Sequence, residues 1–145
     1  MIIFVKDMRK LFLAVLSGLL LAFSWPEIGV FPILFFAFVP LLVLEDELQN
    51  SNENKKGRTI FCLSFLAFFI FNAITTYWVY HATVFGAIAA FIVNAILMAT
   101  AFYSFHKIKR NIKKNLGYLA FIVVWISFEY LHLNWELSWP WLTLG

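Results

Sequence analysis

Trp125, Glu129, His132 and Glu136 follow one another at steps of four, three and four residues, which places all four on one helical face. Inside an apolar span an ionised acid costs roughly 2.5–3.5 kcal/mol at the bilayer centre, so it persists by facing a polar cavity or a partner. Glu129 is such an acid, and His132 can be its partner on the same helix. The plainer alternative is that the two only bond each other or a neighbouring helix at the membrane edge, while Glu136 faces water. Downstream, Trp139-Pro140-Trp141 either anchors the chain at the head-group level, where tryptophan is favoured, or borders a pocket together with the acid. A second aromatic group, Tyr77-Trp78-Val79-Tyr80, stands in the middle of the chain. Just before it, Asn72, Thr75 and Thr76 read as helix–helix contacts, with an outer pocket shared with Tyr77 and Trp78 as the alternative.

No catalytic set accompanies these residues. The single cysteine, Cys62, has no second cysteine to pair with and no metal-type spacing around it. It is expected near the inner end of a span, remote from His81 and His132 by about the membrane thickness of roughly 30 Å. Only His106 can approach it, and a buried thiol packed as a small apolar residue is the expectation. There is no His-Glu metal motif, glycine-rich phosphate loop or serine-hydrolase elbow. Catalytic residues, metal ligands and cofactors are therefore all expected to be absent from these residues.

The elements that must position Glu129 follow from composition. Of 145 residues, 63% are apolar, 20% aromatic and 13% charged, against about 25% charged in soluble domains. A chain of this size has no core large enough to hide that surface, so lipid must cover much of it. The net charge of +3 does not indicate nucleic acid, because the cations flank apolar stretches and serve as topology signals and contacts for anionic lipid heads.

All eleven Lys and Arg residues fall in three clusters: Lys6, Arg9 and Lys10; Lys55, Lys56 and Arg58; and Lys107, Lys109, Arg110, Lys113 and Lys114. Each pair of clusters is separated by enough apolar sequence for two crossings. If the cations stay in the cytoplasm, the fold is an all-α integral membrane protein of five transmembrane helices in short hairpins, N-terminus inside and C-terminus outside. The expected spans are 10–25, 30–44, 59–78, 83–105 and 116–134, forming one transmembrane domain over 1–145, with a flexible cytoplasmic loop at 49–57. The first two spans are short against the roughly 20 residues of a full crossing and can be thin spans or a re-entrant hairpin. Lys6 to Lys10, Leu11 to Ala22 and Ala22-Phe23-Ser24 also have the form of a signal peptide. A retained helix is expected instead, since it returns every later basic cluster to the cytoplasm. In the fourth span Gly86, Ala90 and Asn94, four residues apart, are placed for close helix approach.

Glu129-Tyr130-Leu131, followed by Trp139-Pro140-Trp141-Leu142 and Gly145, resembles the glutamate–aromatic–leucine, aromatic–proline–tryptophan–leucine and glycine signature of apolipoprotein N-acyltransferases. Tyr77-Trp78-Val79-Tyr80 resembles that family's Trp-Val-Tyr segment at the equivalent place. Leu21-Ala22-Phe23 through Pro26 to Pro40-Leu41-Leu42 is similar to its opening hairpin. Two positions depart. His132-Leu133 stands where the family often has Arg-Gly, and Ser138-Trp139 where it often has Gly-Phe; a protonated His132 can partly replace the arginine charge.

The resemblance implies a multi-pass protein of the bacterial cytoplasmic (inner) membrane. Its partners are membrane phospholipid as acyl donor and the diacylglyceryl-cysteine of a lipoprotein as acceptor. Glu129, His132, Trp139, Pro140, Trp141, Tyr77 and Trp78 are the substrate-binding candidates. Family members are several times longer and carry an external nitrilase-like domain with a Glu-Lys-Cys set. These 145 residues contain none of it, so the resemblance implies a truncated or split chain, inactive alone, that needs the catalytic domain in cis or in trans. The competing expectation is a small membrane transporter or assembly scaffold in which Glu129 and Asn94 face a polar route; the odd span number and lack of an internal repeat count against it.

Overall fold

The computed structural model describes residues 2–25, 30–51, 55–112 and 116–134. Among them every regular element is helical: α1 (Ile2–Phe23), a 3-10 turn (Phe31–Ile33), α2 (Leu34–Ala37), α3 (Val39–Asn50), α4 (Lys56–Thr75), a 3-10 helix (Tyr77–His81), α5 (Val84–Lys109) and α6 (Gly117–Leu133). The chain gathers into two compact units, Met1–Ala99 and Thr100–Gly145, with the division inside α5. By length and composition, α4 and α5 can each cross a membrane. Their 20 and 26 residues extend about 30 and 39 Å at 1.5 Å per residue, against a hydrocarbon core of about 30 Å.

The first unit is built on α1 against α4. Gly18 makes their approach possible: a methyl group added there would stand 2.5 Å from the Ala67 carbonyl oxygen and 3.1 Å from Ile70 Cβ. Farther along, Trp25 meets Phe71 edge-on at 5.8 Å between centroids. The two helices therefore run in the same direction, with Lys10, Lys55 and Arg58 lining one cleft at their shared starting end. Arg9 reaches Glu47 at 2.6 Å and ties α1 to the end of α3. The expected small-residue contact in α5 is not where the closest approach occurs. A methyl on Gly86 would meet only the side chain of its neighbour Thr83, while Ala87, Asn94, Ala95 and Met98 form the buried stripe of α5.

The second apolar stretch, expected as one span over 30–44, is instead broken. Pro40 has no N–H for the carbonyl four residues back, and its ring disfavours a continuous helix; the break falls at Phe38, between α2 and α3. The fully buried Ser17 hydroxyl donates to the Ala37 carbonyl at 2.6 Å, fastening α1 to this break. Beyond it α3 runs on to Asn50, past the expected end at residue 44, so Glu45 is a fully buried acid within a helix. The expected 49–57 loop is entered by helix from both ends, with Ser51 capping α3 through the Leu48 carbonyl and α4 already begun at Lys56. Residues 52–54 of that loop lie outside the described residues. The opening helix also starts earlier than expected, at Ile2 rather than near residue 10.

Gly18→Leu should lower the unfolding free energy of the chain in detergent by about 2–3 kcal/mol through overpacking. Gly86→Leu should cost at most about 1 kcal/mol, the worth of the Thr83 hydroxyl bond to the Gly86 N–H. Equilibrium unfolding of both variants measures the contrast; equal losses would place the close approach elsewhere.

Candidate functional site

In the second unit, α6 is apolar nearly all round, with Ile122, Val123, Ile126, Tyr130 and Leu131 exposed, as expected of a helix surrounded by lipid. Glu129 is its single carboxylate. The Glu129 Oε1 accepts the indole N–H of the buried Trp125 at 3.0 Å, one helical turn back. A hydrogen bond to a charged group is worth about 1.5–3 kcal/mol, comparable to the roughly 2.5–3.5 kcal/mol cost of an acid in a span. The donor sits on the shared face read from the spacing, but it is the tryptophan of that face.

His132 stacks on Phe128 at 5.5 Å between centroids and 17° between planes. It is the last member of a ring series on α6: Phe121 to Trp125 at 5.7 Å, Trp125 to Phe128 at 5.7 Å, then His132. At its other end the series passes to Phe102 and Phe105 of α5, which meet Phe121 at 6.1 and 5.4 Å. Edge-on and offset rings each add about 0.5–1.5 kcal/mol beyond buried area, so this packing fixes the rotamers of Trp125 and His132. The hairpin is also clamped at its turn. Lys109, expected in a basic loop, is a buried residue of α5 whose ammonium lies 4.4 Å from the Tyr118 ring centre and 5.6 Å from that of Phe105. Its methylenes lie against Gly117, where an added methyl would come within 2.9 Å of Lys109 Cγ.

Tyr77 and Trp78, in the first unit, are both exposed on the 3-10 helix that follows α4, while Val79 between them and Tyr80 is buried. Asn72, Thr75 and Thr76 are buried and donate to the Phe68, Phe71 and Asn72 carbonyls at 2.7, 2.8 and 2.6 Å. The two threonines are bonded back to their own helix, while the Asn72 amide also reaches Met98 Sδ of α5 at 3.5 Å, a helix–helix contact. Trp139, Pro140, Trp141 and Glu136 lie outside the described residues. Cys62, expected to be buried, is exposed; it falls on the side of α4 that lines the cleft with α1, among cations and Asp7. Among the described residues no cluster of His, Cys, Asp or Glu is arranged to hold a metal ion.

A family model described as the apolipoprotein N-acyltransferase N-terminal domain matches residues 17–145. Apolipoprotein N-acyltransferase of Chlorobaculum tepidum is 30% identical over 140 residues, covering 94% of this chain and 25% of that protein. The protein of the same name from Geobacter metallireducens is 28% identical over 151 residues, covering 94% of this chain and 27% of that one. The chain thus spans about a quarter of the length of these curated relatives. No solved structure matches it.

Trp125→Phe keeps the ring series but removes the donor to Glu129, and should cost about 1.5–3 kcal/mol of stability. Adding Glu129→Leu to that variant should recover most of the loss, because the stranded acid is then gone. Thermal unfolding of the two single variants and the double variant in detergent tests the coupling; additive effects would mean the bond contributes nothing.

Proposed function

The chain belongs to the apolipoprotein N-acyltransferase family, and on that premise we propose that it is the membrane-embedded part that holds the lipid substrates for N-acyl transfer. In this reading residues 1–145 form one transmembrane domain in the bacterial inner membrane. It crosses five times, N-terminus inside and C-terminus outside, with the second crossing made by the discontinuous α2 and α3 and a flexible cytoplasmic connection within 49–57. Phospholipid donates the acyl chain and the diacylglyceryl-cysteine of a lipoprotein accepts it. The nucleophile comes from a nitrilase-like domain in cis or in trans, and these 145 residues alone transfer nothing.

Acyl chains enter sideways between Phe-rich helices, and head groups stop at the outer aromatic level. Glu129, His132 and the Trp139-Pro140-Trp141 segment border the lipid substrate. Tyr77 and Trp78 meet head groups at the outer end of α4, a separate contribution from the first unit. The observation that carries this reading is the Trp125–Glu129 bond. An acid held in one rotamer on an otherwise apolar helix is an expensive feature for a plain anchor, yet it suits a group that must meet a lipid's ammonium or amine. The fixed His132 ring beside it supplies a second polar edge at the same level.

Glu129→Gln keeps an acceptor for the Trp125 N–H and removes only the charge. In the complete enzyme carrying this segment it should reduce acyl transfer to a diacylglyceryl lipoprotein at least tenfold, about 1.4 kcal/mol of transition-state stabilisation, at unchanged protein level. Wild-type transfer by the variant would leave Glu129 a packing residue of a scaffold. Labelled acyl transfer by the purified 145-residue chain would overturn the assignment of the nucleophile to another domain.

A further inference from the structure

A cleft of about 520 Å³ opens between α1 and α4 at their shared starting end, lined by Asp7, Lys10, Leu11, Lys55, Arg58, Thr59, Cys62 and Leu63. That is the size of a small-molecule site rather than a packing defect. Its lining changes character along both helices. The rim carries three cations and one carboxylate, a net +2 by count (+3 and −1). Asp7 binds Lys10 at 3.3 Å and so orients its ammonium. Among the described residues no carboxylate pairs with Lys55 or Arg58. Below the rim the lining is Leu11 on α1 and Cys62 and Leu63 on α4. Arg58 and Leu63 are five residues apart, about 7.5 Å along the helix, and beyond Leu63 α4 is almost wholly apolar.

We infer that this cleft is a binding site for a phosphate-bearing anion, with a single phospholipid of anionic head group as the ligand its shape favours. Arg58 offers a planar fork and the two lysines point charges to the phosphate. The glycerol backbone and the start of an acyl chain then lie on Leu11 and Leu63, where a soluble phosphate has nothing to cover. The site differs from the acyl-transfer site proposed above in both position and residues. Only its assignment to the cytoplasmic leaflet rests on the topology given there; the binding does not. Occupancy crosslinks the starting ends of α1 and α4 through charge, at the level where Arg9 and Glu47 already join α1 to α3.

The test uses the 145-residue chain in lipid nanodiscs, with nitroxide-labelled phosphatidylglycerol and phosphatidylcholine compared by electron paramagnetic resonance. Cys62, the only cysteine, is alkylated with a neutral maleimide to report occupancy locally. Wild type should favour phosphatidylglycerol in the motionally restricted population, and phosphatidylglycerol should slow alkylation of Cys62. Each cation near an anionic surface is worth roughly a fivefold change in binding, so Lys55→Ala with Arg58→Ala should lose at least about fivefold of that preference. Lys107→Ala with Arg110→Ala removes the same charge from a different cluster and should lose little. Protection of Cys62 by inorganic phosphate in phosphatidylcholine discs, without lipid preference, would keep the anion site and make its ligand a free phosphate. Equal losses in the two double variants, or no preference and no protection at all, would overturn the site. Neither result bears on the Glu129→Gln outcome, so the two proposals fail separately.

Discussion

The bare backbone of Gly18 against the Ala67 carbonyl sets the distance between α1 and α4, and most of the first unit follows from that distance. In a lipid surrounding, apolar side chains gain little by leaving lipid for protein, so helices associate through close packing and shared polar contacts. Closeness at Gly18 brings Ser17 within reach of the broken helix and Trp25 against Phe71. It also aligns the starting ends of the two helices so that their cations line one cleft. Without a small residue at this point the other contacts would have no common register.

Several polar groups inside the helices share one device, a partner on the same helix or at a helix break. Thr75, Thr76 and Asn72 donate to carbonyls four residues back. Ser17 donates to the carbonyl exposed by the break before Pro40. Glu129 takes the indole N–H one turn away. Each arrangement satisfies a group that would otherwise cost several kcal/mol in hydrocarbon. Local partners of this kind need no help from the rest of the fold, which is why an acid can stand on a helix as apolar as α6.

Much of this was legible beforehand, because apolar length and basic clusters are strong signals. The helices of the third, fourth and fifth stretches and the family resemblance of the Glu129 segment could be read directly. The position of the helix break could not: Pro40 was visible, but whether a proline ends, kinks or merely starts a helix depends on its neighbours in space. Ser17, twenty residues before the Ala37 carbonyl that it bonds, is one of them. Spacing put Trp125, Glu129 and His132 on one face, and the contact it did not single out is the indole N–H of Trp125 donating to Glu129. The small-residue pattern in α5 misled for a related reason. Regular spacing shows where a close approach is permitted, while the actual contact is decided by which helices become neighbours. Lys109 looked like a loop cation because lysine is usually solvated; aromatic rings at Phe105 and Tyr118 instead cover it.

The parallel course of α1 and α4 also has a consequence for biogenesis. Two helices pointing the same way cannot be joined by a tight turn, so the return path must be laid down before the partner exists. Some 52 residues separate the end of α1 from the end of α4, which a ribosome adds in roughly 3–10 s. Throughout that interval the notch at Gly18 lacks its mate on α4, although the Ser17 hydroxyl meets the Ala37 carbonyl only twenty residues on. The face of α1 around Gly18 therefore waits uncovered until Ala67 is made, which makes the order of synthesis, and not stability alone, a constraint on this fold.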